Sequence, residues 1–138
     1  EGNMKSGELQ LPVLSQAQID ALAGKTFYFA HQSVGYNIVD GVQKVLEKIG
    51  HPGLFAVKEL KPGEPVTQKG LLHSAIGHNG DPESKMNDFQ TFLDKRLGNT
   101  QPDMAMLKFC YVDISKKTDV TALVKEYGNA MSSVSSAS

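Results

Sequence analysis

The sequence predicts one α/β domain of three layers, a mostly parallel sheet with helices on both faces. Three observations predict it. Apolar runs of strand length alternate with stretches of helical period, in the order α-β-α-β-loop-α-β-α. Strands are joined through helices rather than tight hairpins, which is how parallel neighbours connect. And 138 residues, 40% of them apolar and 21% charged, are the size and make-up of a single soluble globular domain.

Each element has its own signal. Residues 15–23, SQAQIDALA, open with Ser15 and carry Gln18 three positions on, a capping box, and Gly24 closes the helix. Residues 25–30, KTFYFA, are aromatic and β-prone, the first strand. Ile38, Val42, Val45, Leu46 and Ile49 then fall on one helical face, stopped by Gly50 and Pro52. Residues 54–60, LFAVKEL, read as a second strand. Residues 61–70 are a Pro/Gly-rich loop or lid. Residues 71–80, LLHSAIGHNG, read as a loop with a short extended piece ending at Gly77.

Asp81-Pro82-Glu83 starts a helix whose inner face is Met86, Phe89, Phe92, Leu93 and Leu97, with Gly98 at its end. Residues 104–112, MAMLKFCYV, read as a third strand, central and covered on both faces. Asp119 begins a last helix with Val120, Leu123, Val124, Tyr127 and Met131 inward. The expected organisation is an N-terminal extension (1–14), the domain (15–131) and a Ser-rich tail (132–138).

Composition excludes several functions. Net charge is −1, with 14 basic and 15 acidic residues and no basic run, so nothing draws in nucleic acid. No apolar run approaches the roughly 20 residues of a membrane helix, so no membrane partner is expected. Cys110 stands alone, which rules out an internal disulfide and a cysteine metal cluster. His51 and His73 show no ligand spacing, and neither GxxxxGK[ST] nor GxGxxG occurs. No cofactor is expected. The chain starts at Glu1 without Met, as removal of a leader for export would leave it, but the compartment stays open.

Chemistry concentrates where strands end. Ser33 follows the first strand and enters a helix, a place for a nucleophile or for a plain helix cap. His31 shares a face with it on extended backbone and either lines the same pocket or is bonded to backbone. Gln32 lies between them. The Gly77-His78-Asn79-Gly80 turn can offer backbone donors and the Asn79 amide to an oxyanion, or can serve only to start the next helix. Tyr111 and Asp113 close the third strand. Asp113 can bind substrate, orient a partner or cap a turn with Ser115.

Taken together, AHQSVGYNIVDG, IGHNGDPESKMNDF and MLKFCYVDI resemble the first three sequence blocks of the SGNH (GDSL-like) hydrolases, in a branch with HQSVG in place of GDSL. The resemblance covers about residues 25–127. It implies a flavodoxin-like sheet and a serine esterase or acyl hydrolase acting on a small-molecule or carbohydrate ester. It also implies Ser33 as the nucleophile and Gly80 as an oxyanion donor. Two departures stand out. CYVD carries no Asn where the family has Gly-x-Asn-Asp, which leaves Asn79 or Asp113 to replace it. The family's Asp-x-x-His is also missing, since three residues before the four histidines stand Tyr28, Lys48, Gly70 and Ala75.

The expectation is therefore the first part of such a fold, with three strands where five or so are usual and the base lying beyond residue 138. The alternatives are a non-catalytic module that binds a small polar ligand through His31, Gln32, Asn79 and Asp113, and a homo-oligomer built through an exposed sheet edge.

Overall fold

The computed structural model describes residues 10–61, 64–97 and 101–136. Its elements are α1 (Gln16–Ala23), β1 (Thr26–His31), α2 (Val34–Lys48), β2 (Val57–Glu59), β3 (Gly70–Ala75), α3 (Pro82–Thr91), β4 (Met104–Leu107) and α4 (Val120–Ser136). A π-helical turn, Phe92–Arg96, extends α3, and a 3-10 turn, Tyr111–Asp113, follows β4. Among the described residues the strands form one parallel sheet in the order β2-β3-β1-β4. The α/β class expected from the sequence is the class found.

The caps are where the sequence places them. The Ser15 hydroxyl accepts from the Gln18 N–H at 3.2 Å, and the Ser15 N–H donates to Gln18 Oε1 at 2.9 Å. Asp81 Oδ1 accepts from the Ser84 N–H, with Pro82 at the first helical position.

The two faces of the sheet follow from strand alternation. Tyr28, Ala30, Leu72, Ala105 and Leu107 face α3 and α4, and there the Tyr28 ring stacks on Phe89 and Phe92 at centroid distances of 5.9 and 5.6 Å. Phe27, Phe29, Leu71, Met104 and Met106 face α2 and border an apolar cavity of about 310 Å³ with Val42, Val45 and Leu46. The connection leaving β1 therefore runs to one face, and the connection leaving β3 to the other.

Several expectations are corrected. The short extended piece expected ahead of Gly77 is a full strand, β3 at residues 70–75, interior and in register with β1 from Thr26↔Gly70 to His31↔Ala75. Its polar residues hide the strand in the sequence, because Ser74 is satisfied by the distant Tyr28 hydroxyl at 2.6 Å. The third expected strand is only Met104–Leu107, and it lies at the sheet edge with Met104 and Met106 more than half exposed. The second is shorter than 54–60. In α4, Leu123 and Ala130 are buried, whereas Val120, Val124 and Tyr127 are exposed.

Helix α4 also continues through residues 132–136, which the sequence assigns to the tail. In α2, Ile38 is exposed and Val39 is buried instead. The expectations for residues 1–7 and for Gly98 lie outside the described residues. Among the described residues no helix is long and apolar enough to cross a membrane.

Candidate functional site

Strands β1 and β3 are neighbours whose outgoing connections go to opposite faces. In parallel sheets this leaves a crevice beyond the carboxyl ends of the two strands, the place where such folds bind ligands. One lip is 32–34, leading into α2. The other is 76–80, leading into α3. Gln32 joins them, since its amide donates to the carbonyls of Ile76 at 2.7 Å and Gly77 at 2.8 Å.

Ser33 holds the N-cap position of α2, yet its side chain makes no capping bond. The plain-cap alternative is therefore not what the geometry shows. The residue is exposed, and among the described residues neither its hydroxyl nor the N–H groups of Ser33 and Val34 have a hydrogen-bond partner. Those N–H groups sit at the positive end of a 15-residue helix. No described histidine is hydrogen-bonded to the Ser33 hydroxyl.

The second lip is built on a buried charge pair that periodicity could not reveal. Lys85, on the inner face of α3, has a fully buried side chain, and its ammonium lies 2.6 Å from Asp113 Oδ2. The same ammonium donates to Asn79 Oδ1 at 2.9 Å. That contact fixes the amide orientation, with Oδ1 toward Lys85 and the Nδ2 donor away from it. Gly77 adopts φ +57°, and a Cβ there would meet the Lys85 backbone at 2.7 Å, so glycine lets the turn lie directly on α3.

Asp113 is fully engaged. Oδ1 accepts the Gly80 N–H at 2.8 Å, and Oδ2 accepts the Cys110 N–H at 2.6 Å besides Lys85. Burial alone would raise its carboxyl, but Lys85 and the two N–H groups outweigh burial and hold it below the usual carboxylate range. Asp113 thus ties the loop after β4 to the loop after β3. Gly80, expected as an oxyanion donor, has its N–H committed to this tie. Tyr111 lies in the 3-10 turn beyond the strand and is 88% exposed.

On the α2 face the crevice is floored by two histidines. His31 is fully buried and His73 is 5% exposed, and His31 Nε2 is 2.9 Å from His73 Nδ1. The Gln32 carbonyl lies 3.3 Å from His31 Nδ1. A carbonyl only accepts, so Nδ1 carries the proton, Nε2 accepts, and His73 Nδ1 donates to it. Among the described residues His73 Nε2 has no hydrogen-bond partner.

Tyr36, on the first turn of α2, packs edge-on against both rings and donates its hydroxyl to Glu59 Oε1 at 2.6 Å. That bond raises the Tyr36 phenol above its ordinary value. Gly35 permits the close approach, since a Cβ there would fall 2.1 Å from His31 Cγ. His73 and the Glu59 carboxylate are absent from the sequence expectation as a pair, because their partners, His31 on β1 and Tyr36 on α2, are remote in sequence.

Burial lowers both histidines below their ordinary 6.5, and for His73 the neighbouring His31 adds to the effect. The unfolded chain then binds more protons than the folded chain once the pH drops below about 6.5. Stability is expected to be full above that pH and to fall below it, by at most about 1.4 kcal/mol per pH unit per histidine. The loss stops once the folded pair itself takes a proton. Urea midpoints at pH 7.5, 6.5 and 5.5 measure this; identical midpoints would contradict the buried neutral pair.

Among the described residues no three of His, Cys, Asp or Glu are placed to hold a metal ion. The fold and site together define an α/β protein with an exposed serine and an oriented amide at a switch-point crevice. In comparisons with known proteins, no family model, no curated protein and no solved structure matches this chain.

Proposed function

We propose that this chain carries a serine acyl-transfer site, an SGNH-type esterase in which Ser33 attacks the acyl carbon of a small-molecule or carbohydrate ester. One observation carries the reading: at the switch-point crevice, an exposed hydroxyl and neighbouring N–H groups at the start of a long helix that have no hydrogen-bond partner among the described residues. An attacking serine turns the ester carbonyl into an oxyanion, and donors already in place stabilise it without reorganisation. The Ser33 N–H and Asn79 Nδ2, the latter held by Lys85, are the donors this arrangement supplies. Asp113 and Gly80 support the loops rather than touch the substrate.

The test is covalent. A fluorophosphonate reagent phosphonylates an activated serine, forming Oγ–P and expelling fluoride. Intact-mass analysis of the 138-residue chain is expected to show one adduct, mapped to Ser33, and none in Ser33→Ala. An inert folded wild type, or an adduct that survives Ser33→Ala, would sink the reading. The crevice would then be that of a module binding a small polar ligand.

A further inference from the structure

A phenol and a buried imidazole meet at one carboxylate on the α2 face of the sheet. Glu59 and His73 are register partners on neighbouring parallel strands. Their side chains therefore leave the sheet on the same face, separated by the strand spacing of roughly 4.8 Å. Tyr36, from the first turn of α2, comes down on them. Its hydroxyl donates to Glu59 Oε1 at 2.6 Å, and its ring meets His73 edge-on at a centroid distance of 6.0 Å.

The same imidazole belongs to the pair on which α2 is seated. His73 Nδ1 lies 2.9 Å from His31 Nε2, and the Tyr36 centroid is 4.8 Å from that of His31. Gly35 rests so closely on His31 that a Cβ would fall 2.1 Å from Cγ. The first turn of α2 thus sits on two rings and is tied down by one hydroxyl. Both Nδ1 atoms carry protons, and His31 Nε2 is an acceptor already in use. The lone pair left for a proton from solvent is that of His73 Nε2.

We propose that His73 and Tyr36 compete for the Glu59 carboxylate, so that a proton taken up by the histidine pair releases the first turn of α2 and the lip of the crevice beside it. With His73 neutral, Glu59 accepts from Tyr36. Once Nε2 is protonated, the ring is a cation that is 5% exposed, and a buried charge demands a partner. A bond from imidazolium to carboxylate is stronger than one from a neutral phenol. Glu59 turns to His73, and Tyr36 loses its anchor. The switch does not depend on the chemistry of Ser33.

The titratable and charged groups facing the pair are Glu59 on β2, Tyr36 on α2 and Lys108 beyond β4. Burial is the largest influence and keeps both histidines below 6.5. His31 lowers His73 further, Lys108 lowers His31, and Glu59 draws both upward. The turn is therefore seated at neutral pH and released in acid.

The test is an NMR titration of the 138-residue chain from pH 8 downward, following the His73 imidazole, the Tyr36 ring and the Gly35 amide. Circular dichroism at each pH shows whether the chain stays folded. In wild type the three signals are expected to move together, with one midpoint below 6.5. Tyr36→Phe frees the carboxylate, and the His73 midpoint is expected to rise by about half a pH unit. Glu59→Gln removes the charge, and the midpoint is expected to fall by about as much. His51→Gln is expected to leave it unmoved. Loss of a purely steric contact would not move the midpoint in opposite directions in the two variants. A midpoint that fails to do so overturns the competition. A Tyr36 ring and Gly35 amide that stay fixed while His73 titrates overturn the release, as does a His73 that stays neutral until the chain unfolds. Should either variant not fold, these wild-type signals alone decide.

Discussion

Replacing Asp113 by Asn is expected to cost about 3–5 kcal/mol of stability, a large share of the roughly 5–15 kcal/mol that holds a domain together. The substitution removes the carboxylate that, alone among the described residues, contacts a fully buried ammonium, and it leaves three donors facing an amide in place of an acceptor-only group. Lys85→Met is expected to cost less, because the Asp113 carboxylate keeps the Cys110 and Gly80 N–H groups. An apolar swap of both residues is not expected to restore the loss, since those two N–H groups would lose their acceptor. Urea unfolding of the three variants measures the order. An Asp113→Asn variant within 1 kcal/mol of wild type would contradict it. Because the Asp113 carboxyl is held down in the folded chain, its contribution is present above the ordinary carboxylate range and is lost as the pH falls through its lowered value.

Two glycines in the same helix are expected to respond in opposite directions to the same change. Gly41→Ala in α2 meets nothing within 4 Å and should stabilise the chain by about 0.5–1 kcal/mol, the ordinary helix preference for Ala over Gly. Gly35→Ala would place a methyl 2.1 Å from His31 Cγ. The ring would have to swing away, taking the His73 bond with it, or the helix would have to lift from β1. A loss of about 1–3 kcal/mol is expected from overpacking. Thermal melts of both variants check the signs. Equal melting temperatures would mean that the first turn of α2 can move off His31 at no cost.

The elements that depend on local chemistry were legible in the sequence. Ser15 and Gln18, Asp81 and Pro82, and the spacing of Met86, Phe89 and Phe92 all act within one or two turns of helix. Strand β3 was legible only as a short extended piece, because its polar residues are satisfied across the sheet, Ser74 by Tyr28 and His73 by His31. Lys85 reads as a solvated residue of a helix face until Asp113, from beyond β4, is placed against it. Of the site, Ser33, His31, Gln32 and Asn79 were found from where strands end and turns begin. The groups that orient Gln32 and Asn79 were hidden, since the Ile76 and Gly77 carbonyls lie beyond β3 and the Lys85 ammonium lies on α3. MAMLKFCYV read as interior by its apolar run, yet it pairs on one side alone and its last residues turn away to bring Asp113 under the second lip.

The position of β1 also bears on how the chain can fold as it is made. Both partners of β1 are drawn from later sequence, beginning at Gly70 on one side and Met104 on the other, and β2 pairs with β3 rather than with β1. During synthesis the aromatic strand and its helix leave the ribosome long before any sheet can form around them. The first ladder awaits residues 70–75 and the second awaits residues 104–107. Pairing over such distances is slow, and an unpaired apolar strand is prone to aggregate. Expression of this chain should therefore be sensitive to anything that delays the arrival of β3, such as an insertion in the loop before Gly70.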